Sequence, residues 1–316
     1  MRRRSFYYVL RFGIVLGLFA AGWVLFFALG DSWWQLLLAA FMGIVFTQIA
    51  FLGHDIGHRQ VFGSKRLADA AGFLIGNLAI GLGFGWWLNK HTKHHANPNH
   101  VDDDPDIALG VILWTEEQAK QRRGSIPRWF GARQAYWFFP VLLFEGLQLQ
   151  VESFRSLTTT VVKRKAIEAT LLTAHTAAYL AALFLVLPVG MAVAFLVVHL
   201  GTFGVYMGCS FAPNHKGMAL LDEKMDYLRK QVLTSRNVRG SLFVDYLLGG
   251  LNYQIEHHLF PSMPMPNLSK AQPIIRAYCQ KVGVSYYEVG LLQSYGQILD
   301  YLHEVGAPIR AARSSV

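Results

Sequence analysis

Three short runs hold seven of the twelve histidines: His54-Asp55-Ile56-Gly57-His58, His91-Thr92-Lys93-His94-His95 and Gln254-Ile255-Glu256-His257-His258. On a helix, positions three and four apart share a face. The middle run therefore aims three imidazoles one way, and the first run aims two. The third repeats the middle spacing with Gln254 in the leading place. Neutral imidazole is a common ligand for zinc, copper, iron and nickel. Seven clustered imidazoles exceed the four-coordinate shell of a single structural zinc, so a metal pair accounts for them more economically. The set contains no thiolate and no obvious carboxylate, which suits redox-active iron or copper and leaves zinc open. Cys209 and Cys279 stand in unrelated contexts with no CxxC spacing, so neither a disulfide framework nor a thiolate metal site is expected.

The chain around these runs is apolar. Of the 316 residues 53% are hydrophobic and only 16% charged, against roughly 25% charged in an ordinary soluble domain. Mean hydropathy is positive. The net charge of +9 is better explained by membrane topology than by nucleic-acid binding.

Arg2-Arg3-Arg4 precedes an apolar run from about residue 9 to residue 30. Ala28-Leu29-Gly30 resembles a cleavage site, but the run is long for a signal-peptide core, typically ~7–15 residues. A second run, Trp33 to Leu52, follows after a turn at Gly30-Asp31-Ser32. Each run is near the ~20 residues needed to cross a hydrocarbon core, so the pair reads as a membrane hairpin. Ala166–Leu187 and Val189–Phe211 read as a second hairpin, turning at Pro188. Arg2 to Arg4, Arg59, Lys65, Arg66 and Lys163 to Lys165 orient both hairpins by the positive-inside rule. Both termini and all three histidine runs then fall on the cytoplasmic side.

Asp69 to Leu88 is the difficult stretch. It is apolar and glycine-rich, with Trp86-Trp87 near its end. Crossing would separate the first two histidine runs, so it is expected to dip in or lie along the interface. Tyr136 to Leu149 is short and aromatic and is expected to be interfacial. Helical periodicity is read between Leu220 and Leu233, and Pro261, Pro264 and Pro266 should end the helix of the third run. The expected fold is therefore one all-α integral membrane domain. It has four transmembrane helices in two hairpins, at about 9–30, 33–52, 166–187 and 189–211. A cytoplasmic helical cap, 53–165 with interfacial segments and 212–316, holds a histidine-rich dimetal site.

A metal pair able to use O2, at the end of helices that form an apolar slot, implies oxidation of a long alkyl chain. The three runs resemble the histidine boxes of the membrane fatty acid desaturase family, in the forms HxxxH, HxxHH and QxxHH. Their order, their gaps and the intervening hairpin all match, from about Gly30 to Phe260. Asn97-Pro98-Asn99, Asp104-Pro105-Asp106 and Leu259-Phe260-Pro261 resemble the family as well.

The resemblance implies a non-haem diiron enzyme that uses O2 and two electrons to introduce a double bond into a fatty acyl chain, as acyl-lipid or acyl-CoA. It implies metal ligands at His54, His58, His91, His94, His95, His257 and His258, with one more at His215 after the fourth spanning helix. Gln254 matches the subgroup that includes front-end desaturases and is expected to position the metal pair. No HPGG haem motif occurs in this sequence. Electrons are therefore expected from a separate protein, a ferredoxin with its reductase or a free cytochrome b5. A hydroxylase on the same boxes is the alternative. A membrane metal transporter or receptor fits less well, because the spanning runs carry few ionisable groups.

Asp55, Asp245 and Glu256 adjoin or precede the boxes and are candidates to hold the imidazoles, as is the acidic run Asp102 to Asp106. His100 does not match a box position and is read as a non-ligand, and His303 as surface. His175 and His199 lie within spanning runs. His199 is sixteen residues before His215, about 24 Å along a helix at ~1.5 Å per residue, so helix packing or an acyl channel is the expected role.

Overall fold

The computed structural model describes residues 3–158 and 163–314. In chain order the helices are α1 (Ser5–Leu29), α2 (Gln35–Gly57), α3 (Lys65–Gly72), a π-helical turn (Phe73–Ala79), α4 (Phe84–Ala96), α5 (Glu116–Gln121), α6 (Ser125–Gly131), α7 (Gln134–Leu142), α8 (Glu145–Arg155), α9 (Lys165–Val186) and α10 (Val189–His215). They continue with α11 (Tyr227–Leu233), α12 (Leu242–Leu247), α13 (Gln254–Leu259), α14 (Met265–Lys281), α15 (Leu291–Val305) and α16 (Ala307–Ser314). Two two-residue strands, β1 (Asn237–Val238) and β2 (Glu288–Val289), pair in parallel. The chain forms two compact units. One comprises Met1–Asn89, Leu142–Gly208 and Ser262–Asn267, and the other Lys90–Val141, Cys209–Pro261 and Leu268–Val316.

The first unit contains α1, α2, α9 and most of α10. These four are the helices long and apolar enough to cross a membrane among the described residues. α2 and α10 run past the apolar stretches read from sequence, to Gly57 and His215. That extra length places box one and His215 in helical last turns. α1 and α2 are joined at Gly30, whose φ of +52° favours glycine. Gln35 closes the turn by donating its Nε2 to the Phe26 and Gly30 carbonyls at 2.8 and 3.0 Å. Phe26, Phe46, Ile49, Leu52, Phe195 and Phe203 form the centre of the core. At Gly43 an added Cβ would lie 2.8 Å from the His199 carbonyl. A glycine there lets α2 and α10 approach backbone to backbone, a packing mode typical of membrane helices.

The stretch from Lys65 to Ala96 is not one straight span. It bends by 113° between the π turn and α4. Buried polar groups pin the bend. The Gly83 amide donates to Ser153 Oγ (2.9 Å), the Phe84 amide to Asn77 Oδ1 (3.0 Å), and His175 Nδ1 to the Leu78 carbonyl (2.9 Å). Glu168 is fully buried. Its carboxylate takes Asn77 Nδ2 at 3.4 Å and faces the backbone N–H groups of Gly85 and Trp86 in the first turn of α4. A negative group there complements the orphan amides of a helix N-terminus. Gly81, at φ +69°, leaves room for His175 Nε2, which would sit 2.8 Å from a Cβ.

The second unit has smaller cores. One packs Val232, Ile255, Leu259, Ile275, Cys279 and Val284, and another Leu113, Ala119, Ala132, Val305 and Ile309. The periodicity read over Leu220–Leu233 yields a shorter helix than expected. Leu221 bridges to His100, with backbone bonds to Asn99 and Val101, and Asp226 caps α11 by accepting from the Arg229 amide at 3.0 Å. α13 ends at Leu259, before the prolines. The aromatic stretch from Tyr136 divides between α7, which contains Pro140, and α8.

Candidate metal centre

Box two lies on α4 and box three on α13, and His215 closes α10. Within the second unit these bring three imidazoles together. His215 Nε2 is 3.3 Å from His94 Nε2 and 3.0 Å from His258 Nε2. His94, His215 and His258 are all buried.

The other nitrogen of each ring is already committed. His94 Nδ1 donates to the Asp104 carboxylate at 3.0 Å. His215 Nδ1 donates to the Thr234 carbonyl at 3.0 Å, and His258 Nδ1 to Gln231 Oε1 at 2.9 Å. A proton on each Nδ1 leaves each Nε2 with a bare lone pair, and a ring nitrogen's partner sets which nitrogen can ligate. Burial and the neighbouring imidazoles hold His258 well below the usual histidine range, in keeping with a neutral ring. Three acceptor nitrogens converging at 3.0–3.3 Å repel one another unless a cation lies among them. Those separations suit a metal bound at ~2.0–2.1 Å from each imidazole.

Gln254 joins the same group. Its amide nitrogen lies 2.8 Å from His215 Nε2, beside the lone pair a metal would take, and its Oε1 is buried with no hydrogen-bond partner among the described residues. A buried amide oxygen without a donor is costly, and a cation or its bound water would satisfy it. His91 and His95 form a second convergence, with Nε2 atoms 3.1 Å apart. The His257 ring lies 4.8 Å from the His95 ring and 6.4 Å from that of His91.

The acidic run contributes directly. Asp104 is buried, and it also accepts the amides of Asn99 (2.7 Å) and Asp106 (2.9 Å). Burial pushes its carboxyl up, but the hydrogen bond from His94 and the Lys216 ammonium hold it below the usual range. Asp106 pairs with Lys90 at 2.8 Å. Asn99 has φ +53°, a left-handed conformation that Asn tolerates, and its Nδ2 donates to the His215 carbonyl at 3.0 Å. The Asn97-Pro98-Asn99 stretch is thus a structural tie to the ligand loop.

Two sequence candidates serve elsewhere. Glu256 accepts from Asn237 Nδ2 and Tyr286 Oη, each at 2.7 Å, and burial pushes its carboxyl up. Asp245 accepts from Asn252 (2.7 Å) and Tyr253 (3.2 Å). Sequence reasoning missed Gln231, whose Nε2 also donates to the His95 carbonyl at 2.9 Å. No spacing rule could have marked it. His100 bridges to Leu221 and is not in the imidazole group.

Box one belongs to the first unit. His54 and His58 lie on adjacent turns at the end of α2, ring centroids 4.6 Å apart, with Trp87 beside both. Asp55 is buried against Arg11 at 2.9 Å, and its other oxygen is 3.5 Å from His54 Nδ1. His199 lies deep in α10, where Tyr179 Oη reaches its Nδ1 at 2.5 Å.

A model of the fatty acid desaturase family matches residues 31–290. The chain belongs to that family. It is 31% identical over 275 residues to an acyl-lipid (9-3)-desaturase of Physcomitrium patens, covering 84% of this chain and 52% of that protein. To Delta(5) fatty acid desaturase fat-4 of Caenorhabditis elegans it is 32% identical over 269 residues, 78% of this chain and 58% of the relative. To fatty acid desaturase 3 of Homo sapiens it is 30% identical over 314 residues, 93% and 66%. The chain thus spans between about half and two thirds of these relatives. Family membership agrees with the four apolar helices and the histidine clusters that can hold metal.

Proposed function

We propose that the protein is a fatty acyl desaturase with a non-haem diiron centre. His54, His58, His91, His94, His95, His215, His257 and His258 would hold the two irons, and Gln254 would position the pair. The observation that carries the reading is the convergence of the His94, His215 and His258 Nε2 lone pairs, each ring fixed by a partner on Nδ1. An all-imidazole donor set with a buried, unsatisfied amide oxygen beside it fits iron. Names of relatives that act on acyl-lipids and fatty acids support a fatty acyl substrate.

The reaction removes two hydrogens from neighbouring methylenes and forms a C=C bond. Reducing O2 to two waters takes four electrons, two from the acyl chain and two from a donor, with two protons from solvent. The bound iron pair would supply the O2 activation. The chain's own residues have other tasks. Asp104, Gln231 and the Thr234 carbonyl keep three rings in one tautomer and one orientation. Burial keeps bulk water from the nitrogens. Apolar helices offer a surface along which an acyl chain can be held at fixed depth, and such positioning sets which carbon reacts.

Electrons would come from a ferredoxin with its reductase or from a cytochrome b5. We place both hairpins with their termini and the site on the cytoplasmic side, on the strength of the basic segments flanking the spans. The test is expression in a host with a suitable donor, with fatty acid methyl esters profiled by mass spectrometry. A new unsaturated acid that disappears in His94→Ala supports the reading. A product heavier by one oxygen shows a hydroxylase instead, and purified protein with one zinc and no iron would sink both.

A further inference from the structure

The last turn of α10 presents a problem in which one buried cation takes a leading part. A helix ends with carbonyls that its own amides do not satisfy. Here the difficulty is compounded by Pro213, which has no N–H and so cannot serve the Cys209 carbonyl one turn back. Tyr295 Oη donates to that carbonyl at 2.7 Å. Beyond it, Asn99 takes the His215 carbonyl, Ser294 Oγ shares the Pro213 carbonyl at 2.7 Å, and Arg236 reaches three carbonyls. Arg236 Nε donates to the Pro213 carbonyl, Nη2 to the Lys216 carbonyl, and the Arg236 amide to the Asn214 carbonyl at 2.9 Å. Nη1 is anchored on Gln297 Oε1 at 2.8 Å.

Arg236 is only 1% exposed, and among the described residues it forms no ion pair with a carboxylate. Burying a guanidinium without an acid is expensive unless its donors are met. Here they are met by carbonyls on both sides of one imidazole, at a helix C-terminus where the backbone carries partial negative charge. A planar fork with five fixed donors can bridge several carbonyls, and an ammonium cannot do so in the same geometry.

We propose that Arg236 is a positioning residue for the metal centre: by clamping the carbonyls of Pro213 and Lys216 it fixes the backbone that aims His215 Nε2 at His94 and His258. The proposal rests on the reading of His215 as a metal ligand. Among the described residues Arg236 makes no hydrogen bond to the imidazole itself, so it acts through the backbone. The Thr234 carbonyl, two residues before Arg236, holds His215 Nδ1, so one short segment sets both the ring's rotation and its height.

The experiment uses the intact chain in detergent micelles, stripped of metal and titrated with Co(II), whose visible bands report binding. Iron per chain after purification is the second readout, and thermal unfolding of the metal-free protein the third. Arg236→Lys is expected to lower Co(II) affinity about tenfold to a hundredfold, the range for groups that orient metal ligands. Tyr295→Phe, which loosens the same helix end one turn away, should lower unfolding temperature and leave affinity unchanged. If Arg236→Lys does not fold, Gln297→Leu removes one anchor only and should weaken Co(II) about threefold, as for one modest hydrogen bond. Unchanged affinity in the folded Arg236 or Gln297 variant overturns the proposal. So does an equal loss in Tyr295→Phe, because any loosening would then suffice. His215→Ala separates the two readings: if it binds Co(II) as tightly as the native protein, the assignment of His215 as a ligand has failed.

Discussion

In the first unit, the buried Arg11 guanidinium meets the Asp55 carboxylate at 2.9 Å, and Tyr8 Oη donates to Gln60 at 2.8 Å. These two groups on α1 find partners of opposite character on α2 and in the turn after it. In the second unit, His94, His215 and His258 aim like atoms at one another, and apart from the Gln254 amide beside His215 Nε2 the partners they have sit on the far side of each ring. The contrast separates structure from site. A buried polar group answered by its complement holds helices together. A group whose partners turn its lone pair toward other lone pairs is suited to a cation.

Removing one converging ring tests this contrast most severely. His258→Ala should abolish the unsaturated product and lower iron per chain in purified protein. Full iron content in that variant would mean the triad is not a metal site. Next comes the ion pair of the first unit. Arg11→Met leaves Asp55 buried and uncompensated, which should cost about 3–5 kcal/mol in denaturant unfolding, and Arg11→Met with Asp55→Asn should recover most of it. Failure of the second change to rescue would show that the pair does more than hold helices.

Asp104→Asn keeps the shape and removes the charge facing His94. A tenfold to hundredfold fall in metal affinity, roughly the range for such carboxylates, is expected, with Co(II) titration as the measurement. The smallest effect belongs to the pinned bend. Ser153→Ala removes the acceptor of the Gly83 amide and should cost about 1–2 kcal/mol. Iron content should not change, and a fall there would place the bend in the metal machinery.

Much of this architecture is legible in the order of residues. The four apolar helices follow from runs near membrane length, and the three boxes fall on helices as their spacing requires. The stretch before box two bends by 113°, the geometry of a broken span or a re-entrant loop. Spacing does not reveal which carboxylates touch the rings. Asp245 and Glu256 sit near box three in sequence, yet their hydrogen bonds go to Asn252 and Tyr253, and to Asn237 and Tyr286. Asp104, within the acidic run that the sequence also offered and ten residues beyond His94, makes the contact. Gln231 and Arg236 carry no local signal, because their partners lie far along the chain.

Donor chemistry and the helices that carry it are therefore written in the sequence alone, since hydropathy and a 3.6-residue period are local properties. Which nitrogen of each imidazole is left bare is written only in the fold. That depends on what lies behind the ring: a carboxylate for His94, a carbonyl for His215, an amide oxygen for His258. A hydrogen bond between residues distant in sequence is set by packing, and no spacing of histidines encodes it.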